Sequence, residues 1–264
     1  MRDMIHQHTG MLYDDAKRDI LASKLSSRVI TLGFGSFLDY YYLLKYDDTA
    51  HQEWEHVINA LSVQETFFWR EIAQVQAVVN TIVPLLARTG VTPIRIWSAA
   101  CATGEEPLTI AMALHEARLF DRFDIQLYAS DASSAAIAQA ERGLYRERSF
   151  RITPPAIRDA YFAPERGYWR IDSAIHKRVS WAVANMINAD DIARFRGSSI
   201  IFCRNAFIYF SDAMVKRAAG LFWHLMGSQG YLCLGSAESL IRLATDFELA
   251  EIDNAFVYVK RSAS

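Results

Sequence analysis

The spacing of apolar positions divides this chain in two. Between residues 14 and about 70 apolar side chains return every three or four positions, as at Ile20, Leu21, Leu25, Val29 and Leu32, and no run alternates as a strand would. That pattern predicts a small all-α domain. From Pro93 onwards short apolar, β-rich runs at 94–100, 125–130, 179–183, 198–203 and 231–235 alternate with helical stretches at 106–119, 132–142 and 212–226. The last helical stretch carries Val215, Ala218, Ala219, Phe222, Leu225 and Met226 along one stripe, as a helix packed on a sheet requires. Strand and helix in alternation predict an α/β domain with a mainly parallel sheet and helices on both faces. Residues 247–260 have no helical pattern and alternate through Ala255, Phe256, Val257, Tyr258 and Val259, which predicts antiparallel terminal strands. Residues 143–178 break the alternation and are too many for a connector, so a small helix and hairpin inserted in the sheet domain is expected. The expected division is 1–75 for the helical domain and linker and 76–264 for the sheet domain, with the insert at about 150–180.

Composition narrows the function classes. The chain has 264 residues, 28 Lys and Arg against 30 Asp and Glu, and 52% hydrophobic residues, which excludes disorder and a basic coat for nucleic acid. Residues 1–10 hold Arg2, Asp3 and two histidines and no apolar stretch, so they do not form a secretory signal. Residues 218–237 carry no formal charge, but Gly227, Ser228, Gln229 and Gly230 split them into a helix-like and a strand-like half of a soluble core. Cys101, Cys203 and Cys233 are odd in number and each lies in or beside a strand-like run, which reads as reduced, buried thiols of a cytoplasmic protein. His115, His176 and His224 lack metal-ligand spacing, so no metal is expected. Two basic groups are ambiguous. Lys17, Arg18, Lys24 and Arg28 on one helix, and Arg142, Arg146, Arg148 and Arg151 in the insert, are either solvated surface or a face for an acidic partner; if helical, Arg142 and Arg146 share one side.

In open parallel sheets ligands lie outside the carboxyl ends of the strands. The first strand runs into Ser98-Ala99-Ala100-Cys101-Ala102-Thr103-Gly104-Glu105-Glu106-Pro107, the second ends at Asp131, and the fourth at Arg204 and Asn205. Small residues in the first turn admit a bulky ligand to the backbone, and an acid at the second strand's tip can accept hydrogen bonds from ribose hydroxyls. The turn has one glycine, lacks a dinucleotide fingerprint, and puts two glutamates where a pyrophosphate would sit. A nucleoside cofactor without phosphates follows, and S-adenosylmethionine is the obvious candidate. Asp131 could also serve only as a helix N-cap, Arg204 and Asn205 only to cap the segment after them, and Tyr209 only as core.

Six segments together resemble the CheR family of chemotaxis-receptor glutamate methyltransferases, over nearly the whole chain from His8. They are TGMLYDDAKRDILASKL at 9–25, ETFFWRE at 65–71, IRIWSAACATGEEPLTIAMAL at 94–114, ASDASSAAIAQAERGLYRERSF at 129–150, IFCRNAFIYFS at 201–211 and GYLCLGSAESL at 230–240. The resemblance implies an all-α N-terminal domain before a Rossmann-like class I methyltransferase domain with a small inserted β-subdomain. It implies methyl transfer from S-adenosylmethionine, leaving S-adenosylhomocysteine, to glutamates in the cytoplasmic region of a membrane chemoreceptor. Residue by residue it implies cofactor contacts for Gln64, Thr66, Arg70, Glu106, Asp131, Asn185, Met186, Arg204 and Asn205, with Glu105 the lesser candidate for the role of Glu106. Arg70 and Tyr209 would line the transfer site.

The sequence departs from the family pattern at Gln64, where Asn is usual, at Trp69, which adds bulk beside Arg70, at Met186 in place of leucine, and at Phe207. Trp69 is the tryptophan expected to touch the cofactor site, and Glu238 has no assigned role. Members that dock on a receptor's C-terminal pentapeptide resemble one another in a longer glycine-rich loop of the insert, where this chain has only Phe162-Ala163-Pro164-Glu165-Arg166-Gly167-Tyr168. Independence from that pentapeptide is therefore expected. The expected protein is a monomer that binds no nucleic acid and is not embedded in a membrane. The alternatives are a methyltransferase for small molecules or nucleic acid, the latter opposed by the charge balance and the lack of a basic stripe, and a catalytically weak regulatory module that binds the cofactor.

Overall fold

The computed structural model describes residues 1–47 and 50–261. Helices α1 (Arg2–Thr9), α2 (Arg18–Thr31), α3 (Phe37–Tyr46) and α4 (Ala50–Leu61) pack around Ile5, Leu21, Leu25, Val29, Tyr40, Leu44, Trp54, Val57 and Leu61. The apolar stripe of α2 is narrower than its sequence suggests. Leu21, Leu25 and Val29, four apart, face α4, while Ile20 and Leu32 face outwards at 54% and 37% exposure. Its basic face is also partly internal. Arg28 grips the buried Glu53 through Nε and Nη2 at 2.8 and 2.6 Å, Tyr40 donates to the same carboxylate at 2.5 Å, and Lys24 donates to the Leu61 carbonyl at 2.8 Å.

A continuous helical run leads into the second domain: α5 (Ile72–Ala77), a π turn at Val78–Ile82, and α6 (Val83–Arg88). Then follow β1 (Ile94–Ala99), α7 (Glu105–Glu116), β2 (Ile125–Asp131), α8 (Ser134–Arg142), β3 (Leu144–Tyr145), α9 (Pro155–Tyr161), β4 (Phe162–Glu165), β5 (Tyr168–Ile171), α10 (Ser173–His176), β6 (Val179–Val183), α11 (Ala189–Ile192), β7 (Ile200–Cys203), α12 (Asp212–Leu225), β8 (Gly230–Leu234), β9 (Glu248–Ile252) and β10 (Ala255–Lys260).

Seven strands form one sheet in the order β6-β2-β1-β7-β8-β10-β9, the first five mutually parallel and β10 antiparallel to both its neighbours, β8 and β9. Counted along the chain within this sheet, the order is 3-2-1-4-5-7-6, the Rossmann-like arrangement of class I methyltransferases, and its direction of winding reverses between β1 and β7. Alternate residues serve opposite faces. Ile94, Ile96, Ile200, Phe202, Tyr231 and Cys233 join the core under α5 and α7, while Trp97, Ala99, Ile201, Cys203, Leu232 and Leu234 join the core under α12. Trp97 anchors the second layer, stacked at 4.5 Å on Phe195 and edge-on to Phe222 at 5.4 Å.

Strands β3, β5 and β4 make a separate small antiparallel sheet. Helix α8 stops at Arg142 because Gly143 adopts the left-handed conformation, where a Cβ would come to 2.8 Å from the Ile171 side chain. Arg146 therefore lies beyond the helix and shares no helical face with Arg142. The uncharged stretch 218–237 falls on α12 and β8, and among the described residues no helix is long and apolar enough to cross a membrane.

Candidate active site

The carboxyl ends of β1, β2 and β7 open into one cleft of about 960 Å³, its mouth included, at the point where the winding of the sheet reverses. Gln64, Thr66, Arg70, Glu106, Asp131, Asn185, Met186, Arg204, Asn205 and Tyr209 all line it. The turn after β1 reaches it through two alanines in left-handed backbone, Ala100 at φ 59° and Ala102 at φ 47°, and Asn205 after β7 is left-handed at φ 60°. Such strain persists only where the surroundings impose it, and here carboxylates hold two of the three residues, the Ala102 N–H donating to Asp131 and the Asn205 N–H to Glu238.

Asp131 is fixed by that turn. Its Oδ2 accepts from the Ala102 N–H and its Oδ1 from the Ser133 N–H, each at 2.9 Å, leaving a lone pair on each oxygen for further donors. Burial pushes its carboxyl up, against the pull of these two N–H groups. The N-cap of α8 is Ser133, not Asp131. Glu106, on the first turn of α7, accepts from the Ser98 hydroxyl at 2.7 Å and from Arg204 Nε at 2.6 Å, and Arg204 Nη1 reaches the Glu71 carbonyl at 3.0 Å. Glu105 points elsewhere: it is buried and accepts from Thr103 Oγ1 at 2.7 Å and Ser149 Oγ at 3.0 Å.

Two carboxylates without an assigned role hold the loops. Glu238 accepts four backbone N–H bonds, from Asn205, Phe207, Ile208 and Gly235, at 2.6 to 3.3 Å. Glu71, itself left-handed at φ 47°, accepts from the Ser236 N–H and the Asn205 amide and stands 3.9 Å from Arg70 Nε. Arg70 also donates to the Glu65 carbonyl at 3.1 Å and lies over the Phe67 ring. The Tyr209 hydroxyl makes no hydrogen bond among the described residues, while its backbone is pinned by Leu12 N–H at 2.8 Å.

The remaining wall is the N-terminal segment. Thr9 and Met11 line the cleft, Met11 bridges to Phe210, and the Asn185 amide donates to the His8 carbonyl at 2.6 Å. Trp69 is not on the wall: it packs against the core under α5, its backbone N–H donating to Thr109 Oγ1 at 3.3 Å, and Phe67 lines the cleft in its place.

Against known families, residues 1–62 match the model described as "CheR methyltransferase, all-alpha domain" and residues 64–256 the model described as "CheR methyltransferase, SAM binding domain". The chain belongs to the CheR methyltransferase family. Among curated CheR relatives, chemotaxis protein methyltransferase 2 of Vibrio cholerae is 31% identical, with 98% of this chain and 91% of that protein covered. The chemotaxis protein methyltransferase of Klebsiella aerogenes is 32% identical, with 93% and 84% covered, and that of Escherichia coli 31%, with 93% and 85% covered.

As a CheR methyltransferase the chain takes S-adenosylmethionine as cofactor, and the donor set fits that molecule. Asp131 offers two acceptors to ribose hydroxyls, the alanine turn leaves room for close approach, and the one deeply buried cation of the wall, Arg204, is already paired with Glu106, so nothing there is built for phosphate. No metal-ligand cluster occurs among the described residues. Burial pushes all three cysteine thiols up, Cys233 to about 12, so they are uncharged packing groups.

Proposed function

We propose that this CheR enzyme methylates glutamate side chains in the cytoplasmic region of a bacterial chemoreceptor, working as a cytoplasmic monomer and without a tethering pentapeptide. The observation that carries the reading is that Arg70 and Tyr209, both with donors to spare, share one wall-bound cleft with Asp131, Arg204 and Asn205. The relatives named above are chemotaxis methyltransferases, which supports the receptor as substrate.

The bound cofactor supplies an electrophilic methyl group on a sulfonium. A glutamate carboxylate, with a reference pKa of about 4.3, is ionised near neutrality, so the residues have no proton to remove. Their task is alignment in a cleft that sheds water. Arg70, tethered to the Glu65 carbonyl and sharing its charge with Glu71, positions the incoming carboxylate without neutralising it fully. Tyr209, its hydroxyl unclaimed, donates a second hydrogen bond. Asp131 holds the ribose, Asn185 and Met186 flank the adenine, and Gln64, Thr66, Glu106, Arg204 and Asn205 complete the cofactor's surroundings. Trp69 lies off the wall, so its bulk does not favour a closed, regulatory module.

Pentapeptide independence rests on the β4–β5 turn, which is only Arg166 and Gly167, both left-handed, and leaves no loop to clasp a peptide. The test is calorimetry with S-adenosylmethionine, then transfer of labelled methyl to chemoreceptor cytoplasmic fragments. Base-labile label on the fragment is the expected result; cofactor binding without label on any fragment would overturn the substrate assignment, and micromolar binding of a receptor C-terminal pentapeptide would overturn the independence.

A further inference from the structure

A second, polar cleft lies across residues 64–66 from the first: Gln64, Glu65 and Thr66 wall both, and the far side of the second is the segment 146–151 with Tyr168 of β5. Five of its lining residues carry charge, and their pairing is uneven. Arg151 is engaged, bound to the Glu65 carboxylate at 2.7 Å and lying 3.6 Å over the Phe67 ring. Glu105, buried and already accepting from Thr103 and Ser149, is pushed towards its neutral form by burial. Glu147 does not face the cleft; it binds Arg158 and the Trp169 indole N–H. Arg146 donates only to the Tyr168 hydroxyl, at 3.2 Å, and Arg148 makes no hydrogen bond or ion pair among the described residues. The cleft thus holds three arginines against two carboxylates, Glu65 already paired with Arg151 and Glu105 buried, and the two exposed guanidinium groups leave a local excess of positive charge beside the transfer site.

We propose that Arg146 and Arg148 form an anion subsite that receives an acidic side chain of the same protein segment whose glutamate is methylated, so that the enzyme selects acidic sequence around its target. The inference rests on the glutamate-methylation reading above. A segment that places its target carboxylate beside Arg70 passes over Glu65 and Thr66 towards this cleft, and planar guanidinium groups suit carboxylates. Neither arginine lines the cofactor cleft, so the subsite sets substrate affinity and not the rate of the methyl step.

The test is the double variant Arg146→Gln, Arg148→Gln, assayed for methyl transfer to a chemoreceptor cytoplasmic fragment. Its KM should rise by about tenfold or more with kcat changed by less than about twofold, because charge-assisted contacts that act on binding alone fall in KM. Salt dependence of kcat/KM should flatten, Lys at both positions should restore most of the affinity, and calorimetric affinity for S-adenosylmethionine should be unchanged. A fragment whose acidic residues within one helical turn of the labelled glutamate are changed to Gln should have a raised KM that the double variant does not raise further. An unchanged KM and salt slope, with label transferred by the wild type, would overturn the subsite alone. Cofactor binding by the wild type with no label on any fragment would overturn the methylation reading and the subsite together.

Discussion

Arg70 stands among partners that take part of its charge before substrate arrives: the Glu65 carbonyl, the Phe67 ring and the Glu71 carboxylate 3.9 Å away. Arg70→Ala is therefore expected to lower kcat by about a hundredfold, the scale of losing one oriented donor in a dry site, while weakening cofactor binding by less than tenfold. Single-turnover transfer alongside calorimetry separates the two, and an unchanged kcat would remove Arg70 from the reaction. Tyr209→Phe should behave likewise with a smaller loss of about tenfold, since a neutral hydrogen bond is about half as strong as a charge-assisted one. For Asp131 the prediction concerns pH. Ribose hydroxyls must donate, so the residue has to be ionised to hold them; burial raises its carboxyl, so protonation begins at a higher pH than the ordinary value of about 3.9. Cofactor affinity should fall on acidification below that raised value and be constant above it, and Asp131→Asn should bind weakly with this dependence gone. A cofactor affinity flat from neutrality down to the ordinary carboxylate range in the wild type would contradict the assignment.

The elements that the sequence makes legible are those whose pattern is local. Five buried parallel strands read clearly because both faces are covered and their apolar runs are unbroken, and the alanine turn reads because small residues stand where bulk would block a ligand. What holds the loops in place has no such signature: Glu238 acts on three backbone groups 30 to 33 positions away and Glu71 on one 165 positions away, and a lone Glu in a loop looks the same whether it ties a knot or faces water. Trp69 fails for the opposite reason, because adjacency to Arg70 in sequence says nothing about the left-handed backbone, at Trp69 φ 67° and Glu71 φ 47°, that turns neighbours apart. Glu238→Gln tests the knot. One of its oxygens becomes an NH₂ facing N–H donors, so the variant should lose about 2 kcal/mol of stability, the worth of one or two bonds to a charged acceptor, and cofactor affinity with it. In α2 the basic pattern hides a structural pair. Burial raises the Glu53 carboxyl, but bonds from Arg28 and Tyr40 outweigh it and leave it lowered. Its contribution is thus present above the unfolded value of about 4.3 and lost as pH falls through the lower folded value. Arg28→Ala, which strands the buried carboxylate, should cost about 3 kcal/mol at neutral pH, read as an earlier melting of the helical domain.

At the scale of the molecule the two domains meet at the cofactor cleft. The N-terminal segment crosses from α1 to the sheet domain, where Met11 bridges Phe210, Leu12 N–H bonds the Tyr209 carbonyl, His6 contacts the Ser211 hydroxyl at 2.8 Å and the His8 carbonyl holds Asn185. Gly10 allows the crossing: it is left-handed at φ 76°, and a Cβ there would come to 2.7 Å from the Phe210 ring. Gly10→Ala thus adds backbone strain of about 1 kcal/mol and a clash that moves the segment off the 206–211 loop. A ligand that binds only the native cleft stabilises it by about 2.7 kcal/mol at a hundredfold excess over Kd. Because that cleft is walled by both domains, the wild type saturated with S-adenosylhomocysteine should melt in one transition, shifted upwards as a unit. In Gly10→Ala the helical domain should melt first and the shift given by cofactor should shrink, both visible in calorimetric scans. An equal shift in the two proteins would mean that the N-terminal segment only touches the cleft and does not help to close it.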